Sequence, residues 1–538
     1  MRAGESMSVA LIAVAALAHA YLIVDFSLPP AEDAAMLMRY AQHVANGHGV
    51  VWNIGDPPVD GATDFLFMIA VAALTYAGIA LETATRGLIT VAHVVTACIV
   101  YVTVRKVHRA PWSAALASSI YLVAGPATAY ISTYFGAPVF ADCAAGAWAC
   151  ALIIMNGSTS RAWSIAFAIL SLLTGLVRPE GVLLAALMLI SIVVAIGVKR
   201  SAPVMISFFA IFGALGLAYF LSRWQYFGHP LPNPFYKKGG GALHPAGIKD
   251  SVFNTVKFTL PLLPLFAIGL FSRNTRRATL AASIPILGFA ACFILVSNEM
   301  NFAGRFQYAL LPMALMAWPI PMRAVLCETE RIDVNRSRLT TAAIAVFLIG
   351  ALTYFQVVRD DWTHHADGRA PMGKLLHAYK NKNYRLATSE AGLLPLYSEW
   401  KTLDTWGLND YTIATSGTVT FEYLETFDPD LIVFHAYDPP HYSGPTGLPG
   451  WSDMVHVLRQ YVATKNFTLI AAYGQTPDDL HYYYAHPRAN EPELFSAMRK
   501  VEYAWPETGR PATNHINEFQ EIRERVPRAA AKWDLANE

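Results

Sequence analysis

Long apolar runs separated by short polar breaks fill the first two thirds of the chain, and the pattern stops at Val358. A helix needs about 20 apolar residues to cross a bilayer core of about 30 Å. Runs of that order occupy Met7–Phe26 and then 87–105, 113–131, 138–155, 162–177, 181–198, 203–222, 256–272, 278–297, 305–322 and 339–358. One further run, Phe65 to Leu81, fits either a crossing or a segment that dips in and returns. Beyond Arg359 the pattern becomes that of a globular domain. Tyr384–Thr388, Leu431–His435 and Phe467–Tyr473 read as strands with helical stretches between them. The pattern thus predicts a polytopic α-helical membrane domain over residues 1–358, with about 11 transmembrane helices plus a re-entrant or interfacial segment. A soluble α/β domain follows over residues 359–538.

Charge decides the topology. Residues 1–358 carry 23 Lys+Arg against 15 Asp+Glu, whereas 359–538 carry 17 against 24. If Phe65–Leu81 crossed, Arg105, Lys106, Arg109, Arg273, Arg276 and Arg277 would face outward. A re-entrant segment instead leaves every basic loop on the cytoplasmic side, as the positive-inside rule favours. The N-terminus is then cytoplasmic and the acidic C-terminal domain extracytoplasmic. Ala18-His19-Ala20 resembles a signal-peptidase site, but the apolar run continues to Phe26, so an uncleaved anchor is the better reading. Overall, 54% hydrophobic and 15% charged residues suit a lipid-bilayer protein. The chain has no long basic block, so nucleic acid is not an expected partner. All five cysteines precede Arg359 and show no CxxC-type metal spacing.

The candidate chemistry gathers on the outer side of this topology. Glu32 and Asp33 open an amphipathic helix in which Asp33, Met36, Leu37, Tyr40 and Val44 share a face. Acids in a first turn can merely complement the helix dipole; alternatively, one of them takes the proton of an attacking sugar hydroxyl. Asp56, Asp60 and Asp64 follow in the first outer loop, either solvated or holding a sugar or cation. Asp142 lies one turn into an apolar span, where an ionisable group needs a partner or a cavity. Arg178-Pro179-Glu180-Gly181 is a tight outer turn that either caps helices or presents Arg178 to a phosphate. The loop with Asn233, Tyr236, Lys237 and Lys238 suits a lipid phosphate headgroup or plain interfacial anchoring. Arg305 is expected to begin a helix and point into the bundle. Arg178, Lys237, Lys238 and Arg305 would stabilise a phosphate leaving group. The chain has no glycine-rich nucleotide loop, and an outward site cannot draw on cytoplasmic nucleotide-sugars, so the activated donor should be carried by the membrane lipid.

The order of these pieces resembles the GT-C glycosyltransferases that use polyprenyl-phosphate sugars, especially the bacterial arabinofuranosyltransferases. The resemblance runs through Glu32-Asp33-Ala34, Arg39-Tyr40, Asn46-Gly47-His48-Gly49 and Val51-Trp52-Asn53. It continues through Arg178-Pro179-Glu180-Gly181, Gly228 to Asn233, Phe235 to Lys238, Arg305-Phe306, Ala387 to Gly392 and Asp404 to Asp410. It departs at Glu32, where the family has Asp, at Ala62 to Phe67, and at Gly136-Ala137-Pro138. It implies an inverting transfer of a sugar, arabinofuranose first among candidates, from a polyprenyl monophosphate to an acceptor glycan. Asp33 or Glu32 would be the base. Arg178, Lys237, Lys238 and Arg305 would hold the donor phosphate, with Glu180, Asn233, Tyr236, Asp142 and Asp64 lining the substrate site. The resemblance implies no metal and no cofactor beyond the lipid-linked donor. Aromatic residues of the C-terminal domain, Trp400, Trp406, Tyr411, Tyr437, Tyr442 and Trp451, either pack its core or stack on acceptor sugars. A transporter of lipid-linked sugars and a protein glycosyltransferase of the same architecture are the alternatives.

Overall fold

The computed structural model describes residues 24–109, 111–123, 125–237, 263–293, 301–326, 367–436, 450–477, 479–506 and 508–517, with a few isolated positions elsewhere. Lys238, Tyr437, Tyr442, the 339–358 run and almost all of the Met7–Phe26 run lie outside the described residues.

Among the described residues, three helices are long and apolar enough to cross a membrane, namely Leu81–His108, Ala137–Met155 and Val198–Phe227. Ala137–Met155 is the hub and packs against Leu81–His108 and Arg161–Val177. Its run of Ala and Gly (Ala144, Ala145, Gly146, Ala147) lets neighbouring helices approach closely, as small residues do in lipid where no hydrophobic force drives association. Leu170 of the neighbouring helix would stand 3.2 Å from a Cβ added at Gly146. Leu81–His108 ends in Arg105 and Lys106, cations that complement its C-terminal dipole. Val198–Phe227 is continuous through a π turn at Phe209–Gly213 and leaves most of its apolar side chains uncovered by protein.

Phe65–Tyr76 is a 12-residue helix, about 18 Å long and too short for the bilayer core, as a segment that dips in and returns requires. The expected spans differ from the helices in two informative places. The 113–131 run is two helices bent by 42° where Pro126 restricts the residue before it. The 305–322 run is also divided, into Leu310–Ala317 and Pro319–Leu326. Arg305 does not begin a helix, contrary to expectation. It follows a single 3-10 turn, Phe302–Gly304, in which Ala303 holds φ 50° and Gly304 φ 72°. The Tyr130 hydroxyl pins this strained reversal by donating to the Ala303 carbonyl at 2.8 Å.

The C-terminal domain is built on a mixed six-stranded sheet. Its strands are β1 (Arg385–Thr388), β2 (Lys401–Asp404), β3 (Leu431–Ala436), β4 (Thr468–Thr476), β5 (Asp479–Ala485) and β6 (Thr513–Asn514), in the order β2-β1-β3-β5-β4-β6. β1, β2 and β3 run parallel; β5 pairs antiparallel with β3 and β4. The tryptophans Trp400, Trp406 and Trp451 are buried in its two hydrophobic cores, so packing rather than sugar stacking accounts for them. Tyr411 is exposed but stacks on His229 of the membrane domain, with ring centroids 4.3 Å apart.

The sheet domain docks on the first polar loop through buried bonds. The Trp52 indole donates to the Thr402 carbonyl at 2.9 Å, and Asn53 exchanges two hydrogen bonds with the Thr402 backbone. Arg39 donates to the carbonyls of Trp52, Pro395 and Trp400. Burial lowers its pKa to about 10, which keeps it charged at neutral pH. Arg39→Met would leave those carbonyls unpaired at a dry junction. We expect docking to weaken by about 3 kcal/mol, read as faster hydrogen exchange in β2 and a lower melting temperature. Unchanged protection of Lys401–Asp404 would show the junction to be held elsewhere.

Candidate active site

Glu32 and Asp33 occupy the first turn of the helix Glu32–Ala45. Neighbouring residues on a helix project about 100° apart, and here that divergence assigns the two acids to different surroundings. The Glu32 carboxylate accepts from the backbone N–H of Gly392 and, at 3.2 Å, of Leu393. It lies 3.6 Å from Arg369 Nε. Glu32 thus binds the start of a helix in the sheet domain. Gly392 is required there, because a Cβ would collide with the Glu32 backbone. The Asp33 carboxylate turns the other way, into a cavity of about 420 Å³, where it pairs with Arg305 Nη2.

That cavity is bounded by Asp33, Met36 and Leu37 from the first helix, by Asp64 and Phe67, by the Arg178–Glu180 turn, by Pro232, Pro234 and Phe235, and by Arg305–Phe306. Its two cations are held differently. Arg178 is buried and meets two carboxylates, Asp64 at 3.3 Å and Glu180 at 2.7 Å. Burial opposes its charge, but these acids together hold its pKa above the ordinary value. Burial pushes the Asp64 carboxyl above the usual range, with Arg178 opposing. Arg305 pairs with Asp33 and packs its guanidinium 4.4 Å from the Phe135 ring centroid. Its Nε is buried with no hydrogen-bond partner among the described residues. A desolvated donor of this kind costs free energy unless a ligand satisfies it.

Local sequence explains how these groups converge. Gly181 follows the Arg178-Pro179-Glu180 turn so closely that a Cβ would collide with the Thr174 carbonyl. At Gly136 a Cβ would stand 2.6 Å from the Phe67 ring and 3.1 Å from Asp64, so the missing side chain makes room for the cavity wall.

Several residues expected at the site lie elsewhere. Lys237 donates to the Gly417 carbonyl at 2.5 Å and sits over the Trp406 ring, at the junction with the sheet domain. Tyr236 packs edge-on against His229 and Tyr411. Asn233 is fully buried beside the cavity wall without lining it; its N–H donates to the Asp60 carbonyl at 2.9 Å. Asp142 accepts from the Thr96 hydroxyl at 3.1 Å, within the bundle and away from the cavity lining. The loop acids are dispersed, Asp56 to Lys401, Asp60 to Arg223 and Asp64 to Arg178. Arg369 and Arg39 organise the junction; Arg369 stands in no sequence motif, and Arg39 belongs to the Arg39-Tyr40 motif, which marks no long-range partner.

Comparison with solved structures places this geometry in a known fold. The chain superposes on ArnT from Cupriavidus metallidurans bound to undecaprenyl phosphate with a TM-score of 0.61 at 12% identity, over 90% of this chain and 98% of that one. Archaeal oligosaccharyltransferase AglB from Archaeoglobus fulgidus, in complex with an inhibitory peptide and a dolichol-phosphate, aligns at 0.53 and 11% identity, over 90% and 75%. The fold matches that of GT-C membrane proteins, a bundle of apolar helices followed by a C-terminal sheet domain. Residues 356–485 match a family described as Domain of unknown function (DUF8728). No curated protein matches the chain by sequence.

Proposed function

We propose that the protein is an inverting glycosyltransferase that uses a polyprenyl monophosphate sugar and works on the extracytoplasmic side of the membrane. The observation that carries this reading is the cavity itself. Three carboxylates and two buried guanidinium groups line it: Asp64 and Glu180 both engage Arg178, which leaves Asp33 with Arg305, whose Nε has no hydrogen-bond partner among the described residues. The solved relatives of the same fold, bound to undecaprenyl phosphate and to dolichol-phosphate, support a lipid-phosphate ligand here. The cavity volume lies in the range of about 300–1,000 Å³ usual for small-molecule sites.

In this reading the donor phosphate competes for Arg305 and draws it from Asp33. The freed carboxylate then accepts the proton of an acceptor hydroxyl as that oxygen attacks the anomeric carbon from the face opposite the phosphate. The bond from the anomeric carbon to the phosphate oxygen breaks, its electron pair stays on the polyprenyl phosphate, and Arg178 and Arg305 stabilise that charge. Arabinofuranose is the leading donor sugar, on the order of motifs from Glu32-Asp33-Ala34 to Arg305-Phe306. An acceptor glycan is the expected second substrate.

The test is transfer by the purified chain in proteoliposomes, supplied with a panel of radiolabelled polyprenyl-phosphate sugars and a glycan acceptor. Product carrying the inverted linkage from one donor is the expected result. Movement of intact donor across the bilayer without product would instead establish a transporter, and labelling of a peptide acceptor alone would establish a protein glycosyltransferase.

A further inference from the structure

A second cluster of chemical groups lies in the sheet domain, apart from the cavity. His435 on β3 and His481 on β5 are direct partners in the antiparallel ladder, so their side chains leave the same face of the sheet. Their rings lie 4.6 Å apart. Glu390 comes two residues after β1, the parallel neighbour of β3. One ligand atom from each of Glu390, His435 and His481 lies within 4.8 Å of the others. All three residues are less than one tenth exposed.

We propose that Glu390, His435 and His481 bind a divalent transition metal of the zinc class, with a fourth position left for water or another ligand. Two nitrogens and one carboxylate oxygen are a donor set that suits zinc, whereas calcium and magnesium prefer oxygen alone. Zinc–ligand bonds of about 2.0–2.2 Å in tetrahedral geometry put donor atoms roughly 3.4 Å apart, so the three groups need to close by up to about 1.4 Å.

Two further observations point to a ligand. Each imidazole is anchored by an outer contact, His435 Nε2 to Asp479 at 2.6 Å and His481 Nδ1 to the Tyr503 hydroxyl at 2.9 Å. Carboxylate and hydroxyl anchors of this kind orient metal-bound histidines. The charge balance also calls for a cation. The single guanidinium of Arg369 serves Asp367, Glu32 and Glu390, while Asp479 adds a fourth carboxylate at the edge of the network. A dication offsets that excess. Since Arg369 joins Glu390 to Glu32, the metal would also brace the junction beside the cavity.

This inference does not depend on the transfer reading. The full-length chain in detergent, stripped with a chelator and dialysed, is titrated with Co²⁺ and then with Zn²⁺. The expected results are visible ligand-field bands of tetrahedral Co²⁺, their loss on adding Zn²⁺, and close to one Zn²⁺ per chain by metal analysis. Zn²⁺ should also raise the melting temperature of the stripped wild-type chain, a readout that needs no variant to fold. Asp479→Asn is expected to weaken Zn²⁺ binding about 10–100-fold, and the double variant H435Q/H481Q to abolish the cobalt bands. Absence of cobalt bands in the wild-type chain, equal Zn²⁺ affinity in the double variant, or no thermal shift would each overturn the assignment.

Discussion

Asp33→Asn is expected to lower the rate of sugar transfer by about 10³-fold, within the range that a positioned general base contributes, while binding of polyprenyl phosphate stays as tight or becomes tighter. Both halves follow from the ion pair of Asp33 with Arg305. The amide cannot take up the acceptor proton, so the chemical step suffers. The amide also competes less for Arg305, so the phosphate finds its guanidinium better disposed. Single-turnover transfer and equilibrium binding of the lipid phosphate separate the two effects. Glu32→Gln is the control in the adjacent position. Its carboxylate engages Gly392, Leu393 and Arg369 rather than the cavity, so it should lower the melting temperature more than the rate per folded molecule. A slow Glu32→Gln enzyme and a fully active Asp33→Asn enzyme would reverse the assignment of the base.

Arg305→Met should cost about 10²–10³ in transfer rate, the loss typical when one preorganised donor to a developing negative charge is removed. It should also weaken polyprenyl phosphate binding. Arg305→Lys restores the charge without the fork of donors and is expected to recover only part of the activity. Arg178→Met should perturb the site in a different way, since it also releases the buried Asp64 and Glu180 from their shared partner. Lys237→Met serves as the contrast. Its ammonium is committed to the Gly417 carbonyl and the Trp406 face, so donor binding should change little. A loss in Lys237→Met as large as in Arg305→Met would move the phosphate site toward the sheet domain.

The membrane half was the more legible part of the chain, for a physical reason. Apolar length and charge bias are local properties, and they marked Leu81–His108, Ala137–Met155 and the short Phe65–Tyr76 helix within a few residues. The division of the 113–131 and 305–322 runs was harder to see. In hydrophobic sequence a proline such as Pro126 or Pro319 sits at a helix break without ending the apolar run. In the sheet domain, β1, β3 and β4 carried strand-like runs. β2 is four residues beginning with Lys401, too short for alternation to register, and β5 holds Tyr482, Tyr483 and Tyr484, which read equally well as a packing cluster.

Among site residues, Asp33, Asp64, Arg178, Glu180 and Arg305 meet at one cavity from positions up to 272 residues apart. Motif order brought them under consideration, but only three-dimensional placement separates them from Lys237, Tyr236 and Asp142. Basic and aromatic neighbours in a loop have the same composition whether they face a lipid phosphate or another domain. Glu390, His435 and His481 come from three separate strand ends with no spacing rule between them, so no reading of intervals could have grouped them.

The divergence of Glu32 and Asp33 on one helical turn has a practical consequence for engineering. One acid is fastened to the sheet domain and its neighbour belongs to the cavity, so the seating of that domain sets how deeply the aspartate reaches. Exchanging C-terminal domains between related chains would therefore require transplanting the Glu32–Ala45 helix with its loop through Asn53 as a matched pair with the incoming domain. A chimera joined only at the covalent boundary would inherit a membrane half whose Asp33 is aimed by the wrong partner.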